Sequence, residues 1–307
     1  MQQEKLYQGQ QGKALPDAGS SFCSRLRCPA IIGGCLLAAV IILAPVFLSA
    51  HSLYIQSGRF KVAEGRGTPL FFCFGHHFPV DGALRRKKLH SVKVIHPDGS
   101  VDHVQLRDEK SLHSYLVTYE QPGTYTLVAE TVPGYFAMYT DKKGRKRHSL
   151  KPLNTFVEEA VEISSSMRSS QWAKTYVVSG EPSAQFPAVV GLPLELVPVR
   201  DVSALKEGEK LEIQIYENGK PFIGEGVWDA TYSGFSTEAE DMYIPQTQIA
   251  KGKFTVPLDV GGRWFIRFFV KTEAPEKFRE QYLMEKRTAT LVVEARNERR
   301  RPRVESE

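Results

Sequence analysis

Residues 89–106 read LHSVKVIHPDGSVDHVQL and decide the fold class. Apolar and polar side chains alternate on both sides of the pair Asp98-Gly99. Alternation over several residues is typical of a strand with one buried face, and an Asp-Gly pair favours the tight turn of a hairpin. This stretch therefore predicts two antiparallel strands joined by a turn.

The same signal recurs along the chain from His51 onward. Short alternating runs are separated by turn residues, as at Gln121-Pro122-Gly123 and Asn218-Gly219. Short strands at regular spacing favour β-sandwiches. The sequence predicts an all-β protein with two immunoglobulin-like β-sandwich domains, behind an N-terminal membrane segment. The predicted ranges are a His-rich domain at residues 51–180, a second domain at 190–295 and a disordered basic tail at 296–307.

Residues 154–173 depart from the strand pattern. Val157, Val161 and Trp172 lie at spacings that suit one face of a helix, although the run Ser164-Ser165-Ser166 weakens the signal. We expect a helix in this region.

The first fifty residues carry targeting signals. Residues 30–50 contain no charged side chain and are long enough to span a bilayer. Lys13, Arg25 and Arg27 precede them, so residues 1–29 are expected in the cytoplasm and residue 51 onward outside. The segment is either an uncleaved anchor or a signal peptide cut after Ala50. In both cases we expect the protein in the periplasm or on the outer face of the inner membrane.

Composition argues against two classes of function. The net charge is +5, and much of the positive charge lies in short runs at residues 85–88, 142–147 and 299–301. Such runs are typical of solvated loops, and no aromatic and basic motif accompanies them, so we expect no nucleic-acid binding. No arrangement of Ser, His and Asp or of paired carboxylates indicates hydrolysis, and we expect no enzyme. A copper oxidase that uses a terminal His chelate is the minor alternative.

Cysteine adds one expectation. Cys73 is the sole cysteine after residue 50, so an intradomain disulfide is excluded there. Because Cys73 lies within an apolar run, we expect it to be a small buried side chain.

The histidines indicate a metal site. All eight lie between residues 51 and 148, and two of them, His76 and His77, lie in the sequence GHHFPVDG at residues 75–82. Neutral imidazole suits nickel, cobalt, copper and zinc. A cut after Ala50 makes His51 the N-terminus, where its amine and its ring nitrogen can chelate one ion. The predicted metal ligands are His51, His76 and His77, although neighbouring residues on a strand point to opposite sides.

Several short motifs in a fixed order resemble a known family, namely GHHFPVD at 75–81, TVPGY at 131–135, GLPLELVP at 191–198 and NGKPF at 218–222. Over residues 51–295 the chain resembles the bacterial exported domains of unknown function known as the nickel uptake substrate-specific transmembrane region. The resemblance implies an envelope β protein associated with nickel or cobalt uptake. It also implies that His51 and His76 are metal contacts.

Two functions follow as hypotheses. The first is an exported metal-handling protein that binds nickel or cobalt, with copper not excluded, and supports uptake by a membrane permease. The alternative is a membrane-anchored structural β-sandwich protein that contacts another envelope component without metal.

Overall fold

The structure is a computed structural model that describes residues 51–108, 112–238 and 241–297. Within these ranges the secondary structure consists of β-strands and short 3-10 turns, without an α-helix, which confirms the predicted all-β class. The predicted membrane segment and most of the predicted tail lie outside these ranges. No helix able to cross a membrane is found in the described residues. The strands are β1 Ser52–Ser57, β2 Lys61–Val62, β3 Arg66–Gly75, β4 Leu89–Ile95, β5 Val101–His103, β6 His113–Tyr119, β7 Gly123–Thr131, β8 Gly134–Asp141, β9 Lys146–Ser149, β10 Ala160–Ser179, β11 Glu195–Pro198, β12 Lys210–Glu217, β13 Lys220–Pro221, β14 Gly226–Tyr232, β15 Ile244–Ile249, β16 Lys253–Pro257, β17 Gly262–Glu273 and β18 Met284–Ala295.

The described strands form three sheets. One has three strands in the order β1-β3-β6, and one has four strands built around β12. The largest has eleven strands, with a central path β15-β14-β17-β18-β10-β7-β4-β5. Strands from the first half of the chain therefore meet strands from the second half, because β10 pairs in parallel with β18.

Two hydrophobic cores lie between the sheets in a sandwich-like arrangement. The first contains Leu53, Phe72 and Val177, and the second contains Tyr176 and Trp264. Successive side chains of a strand point to opposite faces, so β10 supplies Val177 to one core and Tyr176 to the other. Full burial of one such apolar side chain contributes about 1.5–3 kcal/mol. The two cores share strand β10, and the predicted domains at residues 51–180 and 190–295 stay predictions.

The opening stretch folds as predicted. Strands β4 and β5 pair antiparallel, with Lys93 opposite His103. Gly99 adopts a φ of 86°, which lies in the left-handed region that glycine enters without strain. The second turn signal, at Asn218-Gly219, joins β12 to β13 in the same way.

The predicted helix at residues 154–173 is wrong. Two 3-10 turns, Leu153–Thr155 and Val157–Glu159, lead into β10, which is twenty residues long. The backbone of β10 pairs with β8 over residues 160–169, with β18 over residues 167–175 and with β7 over residues 176–179. These long-range ladders override a weak local helix signal, and serine runs do not favour a helix interior.

Cys73 is fully buried in β3, as predicted. Burial raises the pKa of its thiol. Cys73 packs in a small cluster with Tyr54 and Phe265, so it behaves as an apolar side chain.

Candidate metal centre

Strand pairing brings two of the predicted ligands together. Strands β1 and β3 are antiparallel, with Ser52 opposite Gly75, so His51 and His76 lie side by side just beyond the ends of the two strands. His51 Nδ1 and His76 Nε2 are 3.2 Å apart. The ring centroids are 4.2 Å apart and the ring planes are inclined by 62°.

This separation suits two ligands of one metal ion. Metal–imidazole bonds are about 2.0–2.1 Å long, so two nitrogens on one ion lie roughly 2.9–3.4 Å apart for angles between square and tetrahedral. The observed 3.2 Å falls within that interval. It is also the distance of a hydrogen bond in which one ring donates an N–H. The distance is therefore compatible with a hydrogen bond between the two rings or with one metal ion held by both.

Asp81 orders the turn that carries His76. Its carboxylate accepts backbone N–H groups from His76, His77 and Gly82. Burial raises the pKa of this carboxyl, but the three N–H groups outweigh burial and hold the pKa below its usual value. A Cβ at Gly75 would overlap the Asp81 carboxylate, so glycine is required where the strand meets the turn.

Two side chains of β1 hold the far side of this turn. Tyr54 donates its hydroxyl to the His77 carbonyl at 2.5 Å, and Gln56 donates to the Pro79 carbonyl at 2.5 Å. The Phe78-Pro79 peptide is cis. The turn is thus tied to the strand that also carries His51.

His77 is not part of the close pair formed by His51 and His76. Its Nδ1 is 3.2 Å from Asp81 Oδ2, and the side chain is exposed. The structure therefore pairs His51 with His76 and places His77 against a carboxylate of its own turn.

Gln171 belongs to this candidate site and was not predicted from the sequence. Its side chain, from β10, is buried and accepts the Leu53 N–H at 2.6 Å while donating to the His51 carbonyl at 2.7 Å. These two hydrogen bonds hold the backbone of residues 51–53 and thereby the position of the His51 side chain. The sequence carries no local signal for this contact, because Gln171 is 120 positions from His51 and lies where a helix was expected.

The remaining described histidines lie elsewhere. His96 contacts Asp102 at 2.8 Å, while His90, His103 and His148 are exposed. Within residues 51–108, 112–238 and 241–297, no group of three or more His, Cys, Asp or Glu side chains is placed to hold a metal ion. Among the described residues, the pair offers two imidazole nitrogens.

Comparison with known proteins places the chain in a family. Residues 48–272 match the family described as Domain of unknown function (DUF4198). The chain belongs to this family. The description of DUF4198 states no function, so a role in nickel uptake stays a prediction. A sequence comparison with curated proteins found no match.

Three solved structures similar to this DUF4198 chain have low sequence identity to it. The fibronectin(III)-like modules of CbhA from Clostridium thermocellum are 10% identical, over 82% of this chain and 100% of theirs, with a TM-score of 0.19. The FN1-FN3 domains of chicken CNTN1 are 10% identical, over 81% of this chain and 68% of theirs, at 0.20. A DUF4785 family protein from Legionella pneumophila is 8% identical, over 72% of this chain and 52% of its own, at 0.23. At these TM-scores the similarities support no inference about ligands.

Proposed function

We propose that this protein is an exported metal-binding protein that binds Ni²⁺ or Co²⁺ through His51 and His76 and delivers it to a membrane permease. The observation that supports the proposal is the 3.2 Å separation of His51 Nδ1 and His76 Nε2. Neutral imidazole nitrogens are suitable donors for these ions.

The identity of the facing nitrogen adds support. A histidine at a chain terminus closes a small chelate ring between its amine and its own Nδ1, and Nδ1 of His51 is the atom that faces His76. A cut after Ala50 would therefore give the ion three nitrogens from two residues. His77 joins them only when the turn held by Asp81 rearranges.

Selectivity for nickel or cobalt has to come from metal supply or from geometry. Copper binds nitrogen sites at least as tightly as nickel or cobalt by the general affinity order of divalent ions. Copper is accordingly a competitor in every binding measurement. We therefore propose nickel or cobalt as the cargo and copper as the test of selectivity.

Calorimetric titration of the purified protein with Ni²⁺ tests the proposal. We expect binding at micromolar metal, and a loss of affinity of at least about tenfold in His51→Ala and in His76→Ala. His90→Ala is the matched control, because His90 is an exposed histidine of β4 outside the pair. Absence of heat at micromolar Ni²⁺, or equal affinity in all four proteins, contradicts the proposal and favours a metal-free envelope role.

A further inference from the structure

A cleft of about 510 Å³ opens beside the imidazole pair, between the end of β3, the 3-10 turn Arg86–Lys88, β8 and β10. This volume is typical of sites for small organic molecules. The lining is largely apolar and includes the side chains of Phe74, Tyr135, Phe136, Leu150 and Met167. Apolar surface that is open to water favours the binding of an apolar group.

One face of β8 and β10 forms the floor of the cleft. In the register of these antiparallel strands, Phe136 lies opposite Met167 and Gly134 lies opposite Ser169. Opposite residues of a ladder share one face of the sheet, and so do residues two apart on one strand. All of these residues line the cleft. The floor is therefore part of the largest sheet, and backbone hydrogen bonds set its shape.

Gly134 leaves open space above this floor. A Cβ at Gly134 would meet no atom of the described residues within 4 Å. The φ of Gly134 lies outside the left-handed region, so the backbone does not require glycine there. Glycine in a strand often marks a place where a ligand approaches the backbone closely. Neither packing nor backbone conformation accounts for this glycine, whereas a ligand in the cleft would.

One edge of the cleft carries positive charge. Lys87 and Lys88 line it, and none of the described lining residues is acidic. Lys88 Nζ lies 4.6 Å from the centroid of the Phe74 ring, so this charge is held against the apolar wall. Partial burial lowers the pKa of Lys88, and the neighbouring charges of Arg85 and Lys87 lower it further. The edge is therefore complementary to an anionic group, which would offset the repulsion among these cations.

We propose that the cleft binds a small amphipathic anion, an apolar body that carries one acidic group. The body lies on the floor against Phe136 and Met167, over the open space at Gly134. The acidic group contacts Lys87 and Lys88. This inference goes beyond the proposed function and requires no metal at the imidazole pair.

Equilibrium dialysis of the purified full-length protein against labelled naphthoate tests this inference. EDTA is present throughout, so the measurement does not depend on metal binding. We expect naphthoate to be retained. Naphthamide, which has the same body without the charge, and acetate, which has the charge without the body, should each bind at least about tenfold more weakly. Naphthyl phosphate shows whether the edge prefers a phosphate or a carboxylate as the acidic group.

Two variants address the two halves of the cleft. Lys87→Ala/Lys88→Ala should weaken retention of naphthoate about tenfold and leave that of naphthamide unchanged. Gly134→Leu should weaken retention of both compounds, because the new side chain fills the open space, and its thermal unfolding should show that it stays folded. The matched control is Lys142→Ala/Lys143→Ala, which removes two charges from the exposed turn between β8 and β9 and should retain naphthoate as the wild type does.

Three outcomes overturn the inference. Equal retention of naphthoate by the wild type and Lys87→Ala/Lys88→Ala, or by the wild type and Gly134→Leu, would place the bound molecule elsewhere. Absence of retention by the wild type would leave the cleft to another occupant, and a second copy of the chain would then be detected by sedimentation. None of these outcomes bears on the Ni²⁺ titration, which tests the proposed function separately.

Discussion

At the scale of single residues, Asp81 holds the turn that carries His76 and His77. One carboxylate accepts the backbone N–H groups of His76, His77 and Gly82, and its Oδ2 lies 3.2 Å from His77 Nδ1. The geometry of His76 relative to His51 depends on this turn. The carboxylate is therefore best described as a positioning group for the imidazole pair.

Asp81→Asn should lower the free energy of unfolding by about 1–2 kcal/mol near neutral pH. The reason is that the carboxylate has two oxygens to accept the three backbone N–H groups, whereas an amide has one. The pKa of Asp81 is lower in the folded protein than in the unfolded chain. The stability that the Asp81 carboxylate contributes is fully present above the unfolded-state pKa of about 3.9. It is lost as the pH falls through the lower pKa of the folded protein. Urea unfolding at several pH values between about 3 and 7 should therefore show the difference between wild type and variant shrinking as the solution becomes more acidic.

Asp102→Asn is the control for this substitution, because the Asp102 carboxylate is 75% exposed. It should change the free energy of unfolding by no more than about 0.5 kcal/mol. A constant difference between Asp81→Asn and wild type over the whole pH range would contradict the role assigned to the carboxylate.

At the scale of elements, β10 connects the site to the rest of the fold. It carries Gln171 beneath His51, and three residues later it carries Lys174, which is buried. Lys174 Nζ donates to Glu195 of β11 at 2.5 Å and to the Ala188 carbonyl at 2.7 Å. Burial lowers the pKa of Lys174 to about 8, and Glu195 opposes this shift. The ion pair thus ties β10 to the first strand of the second half.

Glu195→Gln should lower the free energy of unfolding by about 3 kcal/mol or more, because it leaves the buried Lys174 charge without its counter-ion. Lys174→Met/Glu195→Gln should be less destabilised than Glu195→Gln, since the amide can still accept the backbone N–H groups of residues 190–192 while the buried charge is gone. Guanidinium unfolding of the wild type, both single variants and the double variant completes the thermodynamic cycle. A double variant less stable than Glu195→Gln alone would show that the pair is not what stabilises this junction.

At the scale of the whole molecule, the two cores share one strand and one sheet. Pairing of β10 with β18 runs from Met167 and Met284 to Thr175 and Val292. All described residues belong to one compact unit. The candidate site lies at the edge of the first core, where β1 begins. Because His51 directly precedes β1, a cut after Ala50 would give His51 a free amine, whereas an uncut chain would not.

Export processing should change metal affinity. If the chain is cut after Ala50, mass spectrometry of the exported protein should find His51 as the first residue. Ala50→Leu, which removes the small residue that the cut requires, should leave the segment attached and weaken Ni²⁺ binding about tenfold through loss of the amine. A wild-type protein that retains its first residue, or equal affinity of the two forms, would contradict the role of the amine.

The sequence alone determined the all-β class and two of the tight turns, at Asp98-Gly99 and Asn218-Gly219. These features are local, because strand alternation and the left-handed preference of glycine act over a few neighbouring residues. Sequence also singled out His51, His76 and His77 by residue type. Tertiary structure alone paired His51 with His76, turned His77 towards Asp81 and placed Gln171 beneath them. It also replaced the expected helix at residues 154–173 by β10. Each of these outcomes depends on hydrogen-bond partners in other strands or on a fold of the turn that no short window of sequence contains.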